Sequence, residues 1–165
     1  MKRKNDKYNP QSIAYKANRY AFMMEAATAY ITTERPKIRM AADAAALLRP
    51  LIKNATQETL YVVFMDTRNM VLGMKDVTKG LVDRAQSHAR EVFRDAIIEN
   101  AARVVLVHNH PSGNPMPSSQ DVECTRGLVQ AGHIIGIEVM DHVVIGSATP
   151  DRPRDFVSLR ELNLM

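Results

Sequence analysis

Hydrophobic positions along this chain change period several times, and each change marks an element. Ile13, Ala14, Ala17, Tyr20, Ala21, Met24 and Ala27 recur at helical spacing, which predicts a helix over residues 11–32, with Pro36 closing the segment. A second helix, rich in alanine and leucine, is predicted over residues 40–52, where Pro50 is able to end it sooner. From Glu58 onward the texture is β-branched and aromatic, and Thr59, Leu60, Tyr61, Val62, Val63, Phe64 and Met65 read as a buried strand. Residues 66–69 read as a turn and 70–77 as the returning strand of a hairpin. Another strand is expected over residues 80–87. Val92, Phe93, Ala96 and Ile97 then predict a helix over 88–100.

Residues 103–107 form a short, strongly apolar run that reads as a strand. The turn-rich stretch after it holds Pro111, Gly113, Asn114, Pro115 and Pro117. A helix starting at Ser118 or Ser119 is expected to end near Gly132, and residues 134–140 and 141–145 supply one or two further strands. The order predicts a mixed α/β (α+β) domain over residues 54–165, with helices packed on a central sheet. Residues 1–53 read as a basic arm and a helical extension in front of it.

Composition narrows the class. At 165 residues, 45% apolar and 24% charged, the chain suits one soluble domain with a core of its own. Its longest apolar runs, such as residues 101–107, are interrupted by charge and fall far short of the ~20 residues that span a bilayer. No uninterrupted apolar stretch follows the basic N-terminus, so no secretory signal is expected. The lone Cys124 excludes an internal disulfide and a cysteine-rich zinc cage, and a cytoplasmic location is expected.

The net charge of +4 is unevenly placed. Lys2, Arg3, Lys4, Lys7, Lys16 and Arg19 stand against Asp6 alone in the first 20 residues, whereas the other 145 carry 16 basic and 17 acidic side chains. The basic arm suits contact with nucleic acid or another acidic partner, or simply solvation.

Candidate chemistry concentrates after the apolar strand. His108 and His110 are two residues apart in extended chain, so their side chains project to one side with Cα atoms about 7 Å apart. That spacing lets two imidazoles share one ion. Three prolines in residues 111–117 stiffen the connection to the next helix. Asp121 then stands in that helix's first turn. Two histidines and one carboxylate leave a fourth tetrahedral position open, which favours a catalytic site over a structural one. Ser118 and Asp121 also match a capping-box variant, and capping alone would account for both.

The stretch from His108-Asn109-His110-Pro111 through Ser118 to Asp121 resembles the JAMM zinc-metalloprotease signature: His-x-His-Pro, six residues, Ser, two residues, Asp. Together with Ser112-Gly113, Asp141-His142 through Gly146, Arg90 to Phe93 and Phe156 to Glu161, it is similar to the RadC-like branch of bacterial JAB domains over about residues 54–165. The resemblance implies a JAB/MPN (cytidine-deaminase-like) fold, with His108, His110 and Asp121 as zinc ligands. It also implies Ser118 as a residue supporting the reacting water or the oxyanion, and an early-strand glutamate as general base. Glu58 is the residue in the matching place; Glu91 and Glu99 are the alternatives, on a predicted helix. The implied reaction is zinc-dependent hydrolysis of a peptide or isopeptide bond in a protein substrate. Two departures stand out. Lys79-Gly80-Leu81 occupies the place of a usual Gly-Thr pair, and residues 1–53 do not resemble the helix-hairpin-helix region that precedes many RadC-like domains.

Other functions have their own signatures. A DNA-repair-associated nucleic-acid-binding protein is the alternative, favoured by the RadC label and the basic arm. A zinc deaminase would need His-x-Glu and Cys-x-x-Cys elements that one cysteine cannot supply. Elsewhere, Cys124 is expected in the core in preference to facing the metal, His142 as a hydrogen-bonded structural histidine in preference to a partner behind the metal ligands, and His88 and His133 at helix ends.

Overall fold

In the computed structural model, residues 35–52, 55–79 and 85–165 are described, with the side chains of 78, 79 and 85–88 left aside. Residues 36–165 form one compact unit. The helix expected over 11–32, the basic arm and Gly80 lie outside the described residues. In chain order the elements are α1 (Ala41–Ile52), β1 (Thr59–Met65), β2 (Val71–Lys79), α2 (Ala85–Ile98), β3 (Arg103–Asn109), α3 (Ser119–Ile135), β4 (Glu138–Ile145) and β5 (Phe156–Ser158).

The five strands form one mixed sheet in the order β2-β1-β3-β4-β5, antiparallel except between β3 and β4. β1 and β3 are buried along almost their whole length, as strands covered on both faces must be. Alternation sorts their side chains into two cores. Val63, Met65, Val105, Val107 and Val143 pack under α1 through Ala44, Ala45 and Leu48. Leu60, Val62, Phe64, Val104 and Leu106 pack against α2 and α3 through Val92, Phe93 and Leu128. Helix α1, which sequence texture places in the extension, thus contributes to the domain's own core, and Pro50 sits in its last turn without ending it.

Several boundaries differ from those expected. Residues 85–87, expected in a strand, open α2. Helix α3 continues through Ile134 and Ile135, because Gly136 (φ 80) and not Gly132 takes the left-handed conformation that ends it. Gly132 has a different duty: a Cβ there would stand 2.5 Å from the Ile137 carbonyl oxygen. One strand, β4, occupies residues 138–145, and the short edge strand β5 carries too few residues for a pattern to show. Among the described residues no helix is long and apolar enough to cross a membrane.

Candidate metal centre

Strand register places the first donors. Leu60 of β1 pairs with His108 of β3, so continuing the antiparallel register past the strand ends sets Glu58 opposite His110. Glu58 and Leu60 share one face of β1, as Leu106 and His108 share that face of β3. Helix α3 begins over the same face. The donor atoms of Glu58, His108, His110 and Asp121 lie within 4.8 Å of one another, a group that could hold a metal ion.

His108 Nε2 and His110 Nε2 are 2.9 Å apart. Asp121 Oδ1 is 3.4 Å from the former and Oδ2 is 3.6 Å from the latter. Glu58 Oε1 stands 3.9 Å from His108 Nε2, and its side chain is 27% exposed, the most open of the three groups facing that ring. A tetrahedral ion with ligands at ~2.0–2.1 Å separates its donors by roughly 3.4 Å, close to the spacings around Asp121. His110 Nδ1 faces the Asn114 carbonyl at 2.7 Å; a carbonyl only accepts, so that nitrogen carries the hydrogen and the neutral ring presents a bare Nε2. The donor set therefore fits a divalent cation with nitrogen and oxygen preferences.

Electrostatics follow from this crowding. Burial, reinforced by His142 and His110, drives the His108 imidazole well below its ordinary value, against the pull of Asp121. The facing Asp121 carboxylate raises His110, with burial opposing. Burial alone would push Asp121 up, but His110, His108 and Ser118 together hold it well below the usual carboxylate range. Burial raises Glu58, opposed by His110 and assisted by Asp121. Burial pushes His142 down to about 4.

Ser118 caps α3. Its Oγ accepts the Asp121 amide at 3.1 Å and donates to Asp121 Oδ2 at 2.7 Å, while its own amide donates to the same Oδ2 at 2.7 Å. Capping and orientation of the carboxylate are thus one arrangement: the capping box leaves Asp121 Oδ1 facing His108. Glu91 lies exposed on α2 and Glu99 exposed just beyond it, both outside the four-donor group. Cys124 is buried in the core with Leu128, and His133 is exposed near the end of α3.

Two further residues were not singled out by spacing. Asn109, between the histidines, points its side chain at the segment carrying Glu58. His142 Nε2 meets His108 Nδ1 at 2.7 Å, so the structural histidine expected there is bonded to a member of the cluster. The local sequence of β4 does not identify that partner; the parallel pairing of β4 with β3 brings the two rings together.

The loop from Pro111 to Pro117 is fixed by backbone contacts as well as prolines. The His110 amide donates to the Ile145 carbonyl at 2.8 Å, the Ser147 amide to the Gly113 carbonyl at 2.8 Å, and Arg152 Nη2 to the Gly113 and Ser147 carbonyls at 2.8 Å each. Beside His110 opens a cleft of about 650 Å³ lined by Arg49, Asn109, Ile145, Gly146 and Ser147 among others. A second cleft of about 350 Å³, between α1 and Met140, touches none of the four donors.

A family profile described as the RadC-like JAB domain matches residues 38–164. Among similar proteins, a UPF0758 protein of Moorella thermoacetica is 44% identical over 137 residues, covering 83% of this chain and 57% of its own. UPF0758 proteins of Clostridium beijerinckii and Chloroflexus aurantiacus are 42% and 43% identical over 129 and 131 residues, covering 78% and 79% of this chain and 54% and 55% of theirs. The chain thus spans a little over half the length of the curated relatives it matches.

Proposed function

Because this chain belongs to the RadC-like JAB domain family, we propose that it is a zinc-dependent hydrolase of JAMM type that cleaves a peptide or isopeptide bond. The observation that carries the proposal is the convergence of two imidazole nitrogens 2.9 Å apart on a buried carboxylate, with Glu58 beside them. His108, His110 and Asp121 would hold the ion, a two-nitrogen, one-oxygen set that leaves a coordination position open. A bound zinc ion would supply Lewis acidity, activating water and polarising the scissile carbonyl.

The chain's own residues do the rest. Glu58, raised by burial yet partly exposed, is placed to take the proton of an attacking water at a carboxylate oxygen and return it to the leaving amine. Ser118 holds Asp121 through Oδ2, and its hydroxyl would support a developing oxyanion only by turning away from that contact. The cleft beside His110 would receive the acyl or amine side of an extended substrate.

The test is to purify the full, untagged chain without added metal and count metal per chain, beside His110→Ala and Glu58→Gln. About one zinc in the parent and in Glu58→Gln, and none in a folded His110→Ala, is expected. Hydrolysis of peptide and isopeptide substrates should be lost in both variants. A folded parent unable to take up zinc, or an active Glu58→Gln, would refute the corresponding part. The basic arm of residues 1–20 supports a second proposal, contact with nucleic acid in a repair setting. Salt-dependent DNA binding that disappears when the arm is trimmed is its signature, and salt-insensitive or absent binding rejects it.

A further inference from the structure

Behind the metal-facing edge of His108 lies a buried chain of hydrogen bonds that returns to another member of the cluster. Thr125 stands one turn after Asp121 on α3, and its Oγ1 is 2.5 Å from the Asp121 carbonyl oxygen. The same Oγ1 is 2.6 Å from His142 Nδ1, and His142 Nε2 is 2.7 Å from His108 Nδ1. Thr125, His142 and His108 are all at most 3% exposed, so water does not compete for these contacts.

The polarity of this chain follows from its end. A carbonyl oxygen can only accept, and a hydroxyl has one hydrogen, so Thr125 donates to Asp121 and must accept from His142. His142 Nδ1 therefore carries the ring hydrogen, and its Nε2 accepts. His108 Nδ1 must then be the donor, which leaves His108 Nε2 bare and aimed at His110 and Asp121. The reverse polarity would place a hydrogen on His108 Nε2, in the space a ligand nitrogen must leave open, and would strip the Asp121 carbonyl of the Thr125 bond.

We infer that Thr125 and His142 are positioning residues that lock His108 into the Nδ1–H tautomer and so hold its Nε2 ready for a metal, an assignment that rests on the metal-site reading proposed above. The loop also joins two ligands: Asp121 through its backbone and His108 through its ring are ends of one hydrogen-bonded circuit. Such partners of ligating histidines set ring orientation, and their loss weakens metal binding by roughly 10–100-fold.

Thr125→Val removes the acceptor while keeping shape. His142 would then shift its hydrogen to Nε2, donate to His108 Nδ1, and force the His108 hydrogen onto the metal-facing nitrogen. Thr125→Ser keeps the acceptor. The experiment reads ring tautomers by nitrogen-15 spectra of the metal-free full chain, above the range in which imidazoles titrate, and measures cobalt(II) and zinc(II) affinity by chelator competition. Expected are the Nδ1–H tautomer of His108 in the parent and in Thr125→Ser, the other tautomer in Thr125→Val, and affinity lower by roughly 10–100-fold in Thr125→Val alone. A parent whose His108 carries its hydrogen on Nε2 overturns the inference, whether or not Thr125→Val folds. A folded Thr125→Val with parental affinity also overturns it. A parent with the expected tautomer that binds no metal would instead overturn the metal site while leaving the tautomer lock standing.

Discussion

Asn109 accepts the Thr59 amide hydrogen through Oδ1 at 3.0 Å, and its Nδ2 donates to the Gln57 carbonyl at 3.1 Å, so one buried amide side chain grips the backbone on both sides of Glu58. The residue between the two histidines therefore holds the proposed base at a fixed distance from them. Replacing it with alanine leaves a buried amide unpartnered, which costs about 1–3 kcal/mol of stability. Asn109→Ala should keep its metal, melt several degrees earlier, and hydrolyse substrate about 10²-fold more slowly through misplacement of Glu58. Melting curves, metal counts and turnover on one substrate check this; undiminished turnover would remove Asn109 from the site's design.

Metal uptake should depend on pH through His110. Its imidazole is raised above the ordinary value by Asp121, whereas His108 is held far below its own and Asp121 stays ionised. In the metal-free protein, His110 thus holds its proton to higher pH than an ordinary imidazole, and an ion must displace it. Affinity should rise as pH increases until His110 is deprotonated, with proton release on binding below that point. Calorimetry in buffers of differing ionisation enthalpy counts that proton, and pH-independent uptake without release would contradict the assignment.

Gly146 follows β4 where the chain packs against the loop of residues 111–117. A Cβ at this position would overlap the Gly113 carbonyl and crowd Pro115 N at 2.8 Å, both of them backbone that cannot swing aside. Gly146→Ala should therefore displace the loop that carries the His110 partner Asn114, costing about 1–3 kcal/mol of stability and weakening metal binding. Equal melting temperature and metal affinity in the variant would show that the loop yields freely.

Arg49 of α1 makes a two-pronged ion pair with Asp155, with Nε to Oδ2 at 2.7 Å and Nη2 to Oδ1 at 2.6 Å. The pair holds the Asp155 carboxyl below its ordinary value. A carboxylate depressed in the folded state contributes stability above its unfolded value and loses it as pH falls through the folded one. Arg49 is 43% exposed, so after solvent screening the contribution is at most about 1 kcal/mol. Asp155→Asn should lower stability by that amount at neutral pH and by nothing in strong acid, as urea titrations at both ends would reveal.

The chemistry of the site was more legible in the sequence than its supports. His108, His110 and Asp121 announce themselves because a chelating pair and a helix-start carboxylate have fixed local spacings. Glu58 lies 50 residues before the pair and was reachable only through resemblance, since nothing local ties it to them. Thr125 gave no signal, and Asn109 and His142 entered only through the resemblance or as a structural histidine, because each acts across a contact between different strands or between helix and strand. The helix over 41–52 was visible as a helix, but its place in the core was not, since alanine-rich faces bury against a sheet or sit on a surface with similar patterns. The strand expected over 80–87 failed at residues 85–87 for a related reason: a short polar stretch carries no decisive period, and α2 takes it up from Ala85.

The order of strands has one more consequence, for how the protein reaches its final state. The donors come from the start of β1, the end of β3 and the start of α3, and the residue behind His108 comes from β4. No hairpin or single helix contains the set, and contacts so distant in the chain form late and slowly. An unfinished fold would offer an incoming cation no cage, whereas the finished one would be stabilised by an ion held there, in proportion to the logarithm of ion concentration over dissociation constant. Occupancy would then mark completed assembly, and metal supply would help decide how many copies survive proteolysis.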